Sequence, residues 1–185
     1  MPTEPACARG VDGFVYVATA SGVISRPKSR AAMNRPPYPG RCVCGAVRYR
    51  LTAEPLTVYA CHCTDCQALS GSAFRLSMPV LRDAVEITHG APEEFRYAPV
   101  GAAPKRGKRC RDCGTWLWGE PERLPQIRVL RPSTLDDRSW VDPVAHIWVG
   151  SAQPWMRIPD GVLTFPGQPP DDRELVRAWK AKHPG

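Results

Sequence analysis

The stretch Cys61-His62-Cys63-Thr64-Asp65-Cys66 places three thiols within six residues. Where a strand end turns into a short helix, thiols at this spacing can converge on one zinc ion, which binds thiolates at about 2.3 Å. Three protein ligands leave one tetrahedral position open for chemistry, and His62 is a candidate fourth ligand. The alternative is a disulfide cluster or inert buried thiols. We favour zinc because the spacing is typical of zinc sites and the chain lacks the character of a secreted disulfide protein.

Length and composition point to one mostly β domain. The chain has 185 residues, enough to bury a core of its own. Its 21 prolines and 15 glycines are spread along the chain. This distribution argues against a helical bundle and favours short strands joined by turns.

The positive charge is weaker than it first looks. The formal net charge is +7 with every cysteine counted as neutral. Two zinc ions would add four positive charges and seven thiolates would add seven negative ones, so the net charge would fall to about +4. Nucleic acid is therefore not an expected partner.

No run of apolar residues reaches the roughly 18 to 20 needed to span a membrane. The short apolar segment at 14–20 ends in Ala18-Thr19-Ala20, but it is too short for a signal peptide, and Glu4 offsets Arg9 in the preceding segment. Export would also expose the zinc thiols to oxidation. These features predict no membrane association and a cytoplasmic location.

Residues 1–32 show no clear period and contain the isolated Cys7. We predict that they are an extension, which is a disordered tail, an added strand or a segment upstream of a true start at Met33. Residues 33–185 are then the zinc-binding domain.

Strand periodicity follows Gly40. Val47, Tyr49 and Leu51 alternate with polar or small residues, which predicts a strand. Further strands are predicted at 85–88 and 95–98, joined as a hairpin by the turn at 89–92.

Two helices are also predicted. Thr64 or Asp65 would cap a short helix that ends at Ser70-Gly71. At the C-terminus, Asp171 with Glu174 resembles a capping box, and one apolar face predicts a short helix. That face carries Leu175, Ala178 and Trp179.

A second cysteine motif is Cys110-Arg111-Asp112-Cys113-Gly114, which has the form of a zinc knuckle. A redox Cys-x-x-Cys is the rival interpretation, but no βαβ pattern surrounds it. Spacing alone does not divide seven cysteines between two metals. Because Cys44 and Cys113 each precede a glycine, we expect two matched clips on one four-thiolate site, built from Cys42, Cys44, Cys110 and Cys113. Cys61, Cys63 and Cys66 remain as the open site.

Three segments together resemble the glutathione-dependent formaldehyde-activating family, which includes centromere protein V-like members. They are Gly40-Arg-Cys-Val-Cys-Gly-Ala-Val-Arg-Tyr, Cys-His-Cys-Thr-Asp-Cys with Ser70-Gly71-Ser72-Ala73-Phe74, and Cys-Arg-Asp-Cys-Gly-Thr. The resemblance implies an Mss4-like β-tent of short antiparallel strands around zinc sites. It also implies a structural zinc at Cys42, Cys44, Cys110 and Cys113 and a second zinc at Cys61, Cys63 and Cys66.

The resemblance and the open zinc site imply an enzyme similar to S-(hydroxymethyl)glutathione synthase. Such a carbon–sulfur lyase acts on the adduct of glutathione, or a similar thiol, with formaldehyde or another small aldehyde. Cys61, Cys63 and Cys66 are its predicted catalytic residues. The alternative is a non-catalytic zinc-stabilised module that binds protein or nucleic acid through the basic run at 105–111, although a solvated charged face is the commoner outcome.

The second half of the chain is rich in indole, and two expectations follow. Most of these tryptophans should lie in the core, with one or two at the open zinc site. His146 is expected to be a hydrogen-bonded structural residue. The tryptophans concerned are Trp116, Trp118, Trp140, Trp148 and Trp155.

Overall fold

The computed structural model describes residues 7–9, 15–17, 35–98 and 104–184. The chain divides into one unit from Met1 to Ala31 and another from Ala32 to Gly185. In the first unit, strand β1 (Cys7–Arg9) pairs antiparallel with β2 (Val15–Val17). The predicted boundary at Met33 lies outside the described residues.

The second unit is built mainly of strands. In chain order its elements are β3 (Tyr38–Arg41), β4 (Arg48–Leu51), β5 (Tyr59–Cys61), α1 (Thr64–Ser70), β6 (Arg75–Leu81), β7 (Val85–His89), β8 (Glu93–Tyr97), β9 (Lys105–Arg109), β10 (Trp116–Glu120), β11 (Ile127–Leu130), β12 (Ala145–Ile147), β13 (Leu163–Phe165) and α2 (Arg173–Lys182). The prediction of a mostly β protein with a short C-terminal helix is confirmed.

The strands form two sheets. The smaller sheet has the order β3-β4-β7 and is antiparallel. The larger has the order β13-β12-β5-β6-β11-β10-β9-β8. Contrary to the expectation of antiparallel strands, β12 pairs parallel with both β5 and β13. A parallel pair needs a long connection, and the segment between β5 and β12, which includes six further strands, provides it.

The predicted hairpin around 89–92 is wrong. β7 pairs with β4 in the smaller sheet, whereas β8 pairs with β9 at the edge of the larger one. The turn between β7 and β8 therefore carries the chain from one sheet to the other. Alternating hydrophobicity shows that a segment is a strand, but it does not name the partner strand.

The main core contains residues of both sheets. Tyr49 and Leu51 of β4 are almost fully buried in the same cluster as Met78 and Leu130 of the larger sheet. Tyr49 also meets Trp118 edge-on, with ring centroids 6.3 Å apart. The alternation of buried and exposed residues along β4 confirms its predicted strand period.

Helix α2 packs against this core through Trp179 and against a smaller cluster, which includes Cys61 and Cys66, through Leu175. Leu175 and Trp179 are buried, and Ala178 packs partly against the core, which confirms the predicted apolar face. The predicted capping box is wrong, because the residue at the cap is Asp172 and not Asp171. Asp171 instead accepts a hydrogen bond at Oδ1 from the backbone N–H of Arg173, at 2.9 Å.

Within the described part of the chain, neither helix has the length and apolar composition required to cross a bilayer. The cytoplasmic location stays a prediction.

A shortened chain that begins at Met33 is expected to fold. The reason is that β1 pairs with β2, whereas both sheets of the second unit are formed by β3 to β13. Its melting temperature should lie within about 4 °C of that of the full chain, which corresponds to less than about 1 kcal/mol. Circular dichroism during heating measures both. Loss of the folding transition would show that residues 1–32 belong to the domain.

Candidate functional site

Four cysteines from distant parts of the chain converge on one point. All of the sulfurs of Cys42, Cys44, Cys110 and Cys113 lie within 4.8 Å of one another. Two of the separations are 3.4 Å, between Cys42 and Cys44, and 3.7 Å, between Cys44 and Cys110. Tetrahedral zinc with thiolates at about 2.3 Å needs sulfurs about 3.8 Å apart. This four-thiol cluster could therefore hold zinc with little rearrangement.

Two loops of similar design supply these thiols. The N–H of Cys42 donates to the carbonyl of Val47 at 3.0 Å, and that of Cys110 donates to the carbonyl of Thr115 at 2.9 Å. Each loop turns through a glycine with positive φ, Gly45 at 79° and Gly114 at 71°. Glycine is favoured there because it has no Cβ to oppose a left-handed backbone. The expected matched clips are thus present.

Hydrogen bonds favour the thiolate form of two of the four thiols in this cluster, Cys113 and Cys42. Thr115 Oγ1 accepts from the N–H of Val43 at 3.2 Å and lies 3.1 Å from Cys113 Sγ, so its hydroxyl proton can donate to that sulfur. This hydroxyl is the main reason that the pKa of Cys113 is lowered to about 5. The N–H of Val47 likewise donates to Cys42 Sγ at 3.2 Å. Cys42 and Cys113 are thus favoured in their charged form, whereas hydrogen bonds with the neighbouring thiols oppose a further thiolate, and the pKa of Cys44 is raised to about 12.

Thr115→Val should weaken zinc binding at the four-thiol cluster by about 10- to 100-fold, the usual effect of removing a hydrogen bond to a ligand. The substitution keeps the shape of the side chain and removes its hydroxyl. Competition with a chelator of known affinity measures the change. Thr115→Ser, which retains the hydroxyl, should bind zinc like the original protein. Equal zinc affinity in the Val and Ser variants would contradict this prediction.

The second cluster joins a strand to a helix. Cys61 ends β5, Cys63 is the N-cap of α1, and Cys66 lies in its first turn. Their sulfurs all lie within 4.8 Å of one another. Cys61 and Cys66 are buried, while Cys63 is half-buried. The structure thus brings together the three predicted ligands and leaves one of them accessible.

The predicted cap of this helix is wrong. Neither Thr64 nor Asp65 occupies the cap position, which belongs to Cys63. Cys63 Sγ accepts a hydrogen bond from the N–H of Cys66 at 3.4 Å. The thiol therefore performs the task that a hydroxyl or carboxylate performs in most helices.

The three thiols share their charge unequally. Hydrogen bonds with the thiols of Cys61 and Cys66 lower the pKa of Cys63. The pKa of Cys61 is raised, first by its hydrogen bond with Cys63 and also by burial. Three adjacent thiols cannot all ionise without a compensating cation, because like charges oppose one another at this distance. The donor set fits a thiophilic divalent metal such as zinc.

His62, a candidate ligand by sequence, points away from this three-thiol cluster. Its Nε2 lies 2.8 Å from Nδ1 of His146, and both rings are buried. Burial lowers the pKa of each histidine. The pair links the end of β5 to β12, so His146 has the structural role expected of it and His62 joins it there. Successive residues of an extended chain face opposite sides, which explains why His62 and Cys61 diverge.

Two arginines beside the three-thiol cluster were missed by sequence reasoning. Arg75 of β6 lies directly opposite Cys61 in the strand register. Arg131 follows β11 and is only 6% exposed. Their guanidinium carbons lie 4.7 Å and 3.9 Å from the ring centroid of Trp116. Burial, and then repulsion by Arg75, lower the pKa of Arg131 to about 9. No spacing rule links these positions, and strand register alone brings them together.

The expectation that most of the tryptophans are buried is only partly met. Trp118 and Trp140 lie in the core, whereas Trp148 and Trp155 are 40% and 70% exposed. Trp116 is half-buried and lies against Arg75, the residue paired with Cys61 in the strand register.

The basic run at 105–111 is largely ion-paired. Arg109 and Arg111 both contact Glu93, at 2.8 and 3.4 Å, and Lys108 contacts Glu94 at 3.5 Å. These pairs reduce the positive potential that a polyanion would meet.

Comparison with known proteins agrees with this arrangement. A family model described as glutathione-dependent formaldehyde-activating enzyme matches residues 37–151, more than half of the chain. The chain belongs to this family. The matched segment contains both cysteine clusters, so glutathione-dependent formaldehyde-activating proteins provide the natural comparison for the site.

One relative within this family is a protein of Penicillium rubens named as a putative glutathione-dependent formaldehyde-activating enzyme. It is 31% identical over 108 residues, which are 56% of this chain and 56% of the relative. The chain thus spans little more than half the length of that relative. A crystal structure of a Rhodobacter sphaeroides protein is similar with a TM-score of 0.44 and 18% identity, covering 57% of this chain and 96% of that one.

Proposed function

We propose that this protein is a zinc-dependent carbon–sulfur lyase that acts on the adduct of glutathione, or a similar thiol, with formaldehyde or another small aldehyde. The observation that supports it is the three-thiol cluster, which joins two buried thiols to the half-buried Cys63 within the family's matched segment. The thiol and aldehyde partners and the cytoplasmic setting are parts of the same proposal.

The two clusters are assigned different tasks. Cys42, Cys44, Cys110 and Cys113 hold a structural zinc with a complete ligand set. Cys61, Cys63 and Cys66 hold a second zinc with one position open to substrate, and they are the catalytic residues. When bound there, zinc supplies Lewis acidity and stabilises a substrate thiol as thiolate at neutral pH.

The reaction is a simple addition. The sulfur of the thiol forms a bond to the aldehyde carbon, the C=O π bond breaks, and the oxygen receives the proton that left sulfur. Cleavage of the same C–S bond is the lyase direction. No protein residue is assigned as general base, and the proton moves through water. The protein itself orients the reactants beside the positive charges of Arg75 and Arg131.

The non-catalytic alternative, a module that binds protein or nucleic acid through the 105–111 run, has less support. Glu93 and Glu94 already engage three of its cations. Because ion pairs weaken an electrostatic footprint, we retain the enzyme as the proposed function.

Exchange spectroscopy tests the proposal. The full chain, with its zinc content measured, is added to glutathione and isotopically labelled formaldehyde, and NMR measures the rate of exchange between free and thiol-bound formaldehyde. We expect this rate to rise in proportion to protein concentration. Cys63→Ser should reduce it to the uncatalysed rate. A rate independent of protein, for glutathione and for a panel of other thiols and aldehydes, would rule out the proposed activity.

A further inference from the structure

The guanidinium groups of Arg75 and Arg131 carry buried hydrogen-bond donors that nothing satisfies. Nε and Nη1 of each group are buried without a hydrogen-bond partner in the described part of the chain. Buried polar groups in folded proteins nearly always have a partner, so four unpaired donors at one place point to a missing acceptor.

Arg128 is a comparable arginine whose Nη1 has partners, although its Nε is also buried without a hydrogen-bond partner among the described residues. Like Arg131 it stacks on an indole, with its guanidinium carbon 5.0 Å from the ring centroid of Trp118. It also lies 3.7 Å from the carboxylate of Glu120, and its Nη1 donates to two backbone carbonyls, each at 3.1 Å. Arg131 is more buried, yet no carboxylate of the described residues forms an ion pair with it. The difference between the two arginines therefore lies in the partner and not in the stacking.

The charges around Arg131 also lack an anion. Among the described residues, no ion pair involves Arg75 or Arg131. The acidic groups that favour the charged form of Arg131 are the phenols of Tyr97 and Tyr59 and the thiol of Cys66. A zinc ion with three thiolates carries one net negative charge, against two positive charges on the guanidinium groups. One positive charge is left over.

The two arginines are held in place before any ligand arrives. Trp116 donates its indole N–H to the carbonyl of Trp118 at 2.7 Å. Phe95 and Tyr97 pack edge-on against the same ring, at centroid distances of 5.1 and 5.5 Å. Both guanidinium carbons thus lie within 4.7 Å of the centroid of one fixed ring, and a planar guanidinium donates in the fork geometry that a carboxylate accepts.

We propose that Arg75 and Arg131 form a carboxylate-binding subsite beside the three-thiol cluster. The substrate thiol of this protein is then one that carries a carboxylate within reach of its sulfur. This inference rests on the proposed function for the role of the sulfur, but the carboxylate subsite itself does not depend on turnover.

Calorimetry with matched ligands tests the subsite on the full, zinc-loaded chain. The ligands are 3-mercaptopropionate, 3-mercapto-1-propanol, which replaces the carboxylate by a hydroxyl, and propionate, which lacks the thiol. We expect 3-mercaptopropionate to bind at least about tenfold more tightly than the alcohol, the size of effect expected for a charge-assisted hydrogen bond. Zinc content before and after each titration shows whether the thiol has extracted the metal.

Substitution of the arginines is the second test of the carboxylate-binding subsite. Arg131→Met and Arg75→Met should each reduce the preference for the carboxylate to less than about threefold, because they should weaken binding of 3-mercaptopropionate by a larger factor than binding of the alcohol. Arg131→Lys keeps the positive charge but loses the forked pair of N–H donors. Its preference for the carboxylate should therefore lie between that of the original chain and that of Arg131→Met. Arg128→Met is the matched control and should keep the tenfold preference. Arg131→Met should melt at no lower temperature than the original chain, because it removes an unpaired buried charge.

The outcomes separate this inference from the proposed function. Equal binding of both thiols to the original chain would overturn the subsite. An equal loss of affinity for both thiols in the arginine variants would also overturn it. The arginines would then only offset the charge of the three-thiol cluster and its metal. If instead neither thiol binds while propionate binds in an arginine-dependent way, the subsite stands and the proposed function fails. Should Arg131→Met not fold, Arg75→Met and Arg131→Lys decide the same question.

Discussion

Cys113→Ser is expected to cost the protein both its structural zinc and its fold. Cys113 shares a cluster of four sulfurs, all within 4.8 Å, with two cysteines that lie about 70 residues earlier in the chain. Structural zinc contributes about 10–16 kcal/mol to folding in small zinc-binding peptides. Whole domains are stable by only about 5–15 kcal/mol. Loss of a zinc held at this cluster would therefore be enough to unfold the chain.

Circular dichroism and metal analysis of the purified variant measure this effect. Cys7→Ser is the matched control, because Cys7 is expected to bind no metal, and it should leave the spectrum and the zinc content unchanged. A native β spectrum with full zinc content in Cys113→Ser would show that the four-thiol cluster is not structural.

Mild chelation should abolish activity and leave the fold intact, in contrast to Cys113→Ser. We expect it to remove about one zinc of two and to abolish thiol and aldehyde chemistry without changing the β spectrum. The physical reason is ligand number, since three thiolates with an open position hold zinc less tightly than four. Cys63→Ser should behave in the same way, because it removes the most accessible ligand of the three-thiol cluster.

Solvent exposure of the thiols favours the opposite order of zinc removal from the one that ligand number favours. Cys44 and Cys113 of the four-thiol cluster are exposed, whereas Cys61 and Cys66 of the other are buried. A chelator can thus approach the four-thiol cluster more easily. We expect ligand number to decide the equilibrium because exposure changes chiefly the rate of exchange, whereas a fourth thiolate bond and the coupled folding change the affinity.

A chelator titration followed by zinc per chain, turnover and circular dichroism measures the separation of the two sites. Samples must be held until each reading is constant, so that the faster approach to exposed thiols does not determine the result. Departure of both metals together with the fold, or activity that survives in Cys63→Ser, would contradict the division into a structural and a catalytic zinc.

The local features of this protein could be predicted from its sequence because they depend on neighbouring residues. Three thiols within six residues converge wherever a strand meets a helix, and a glycine after a thiol predicts the turn of a zinc loop. The alternation along β4 predicted a strand, and the apolar face of α2 predicted a helix.

Only the tertiary structure shows which strands and side chains lie next to one another. β7 and β8 read as a hairpin, yet they belong to different sheets, because pairing depends on contacts that a short pattern does not contain. Arg75 gained its place from the register between β5 and β6, and Arg131 from its position after β11. The sequence spacing between these arginines and the cysteines does not show that they lie close together. The thiols of the three-thiol cluster lie within six residues of one another in the sequence, whereas the two arginines beside them come together only when distant strands pack around Trp116.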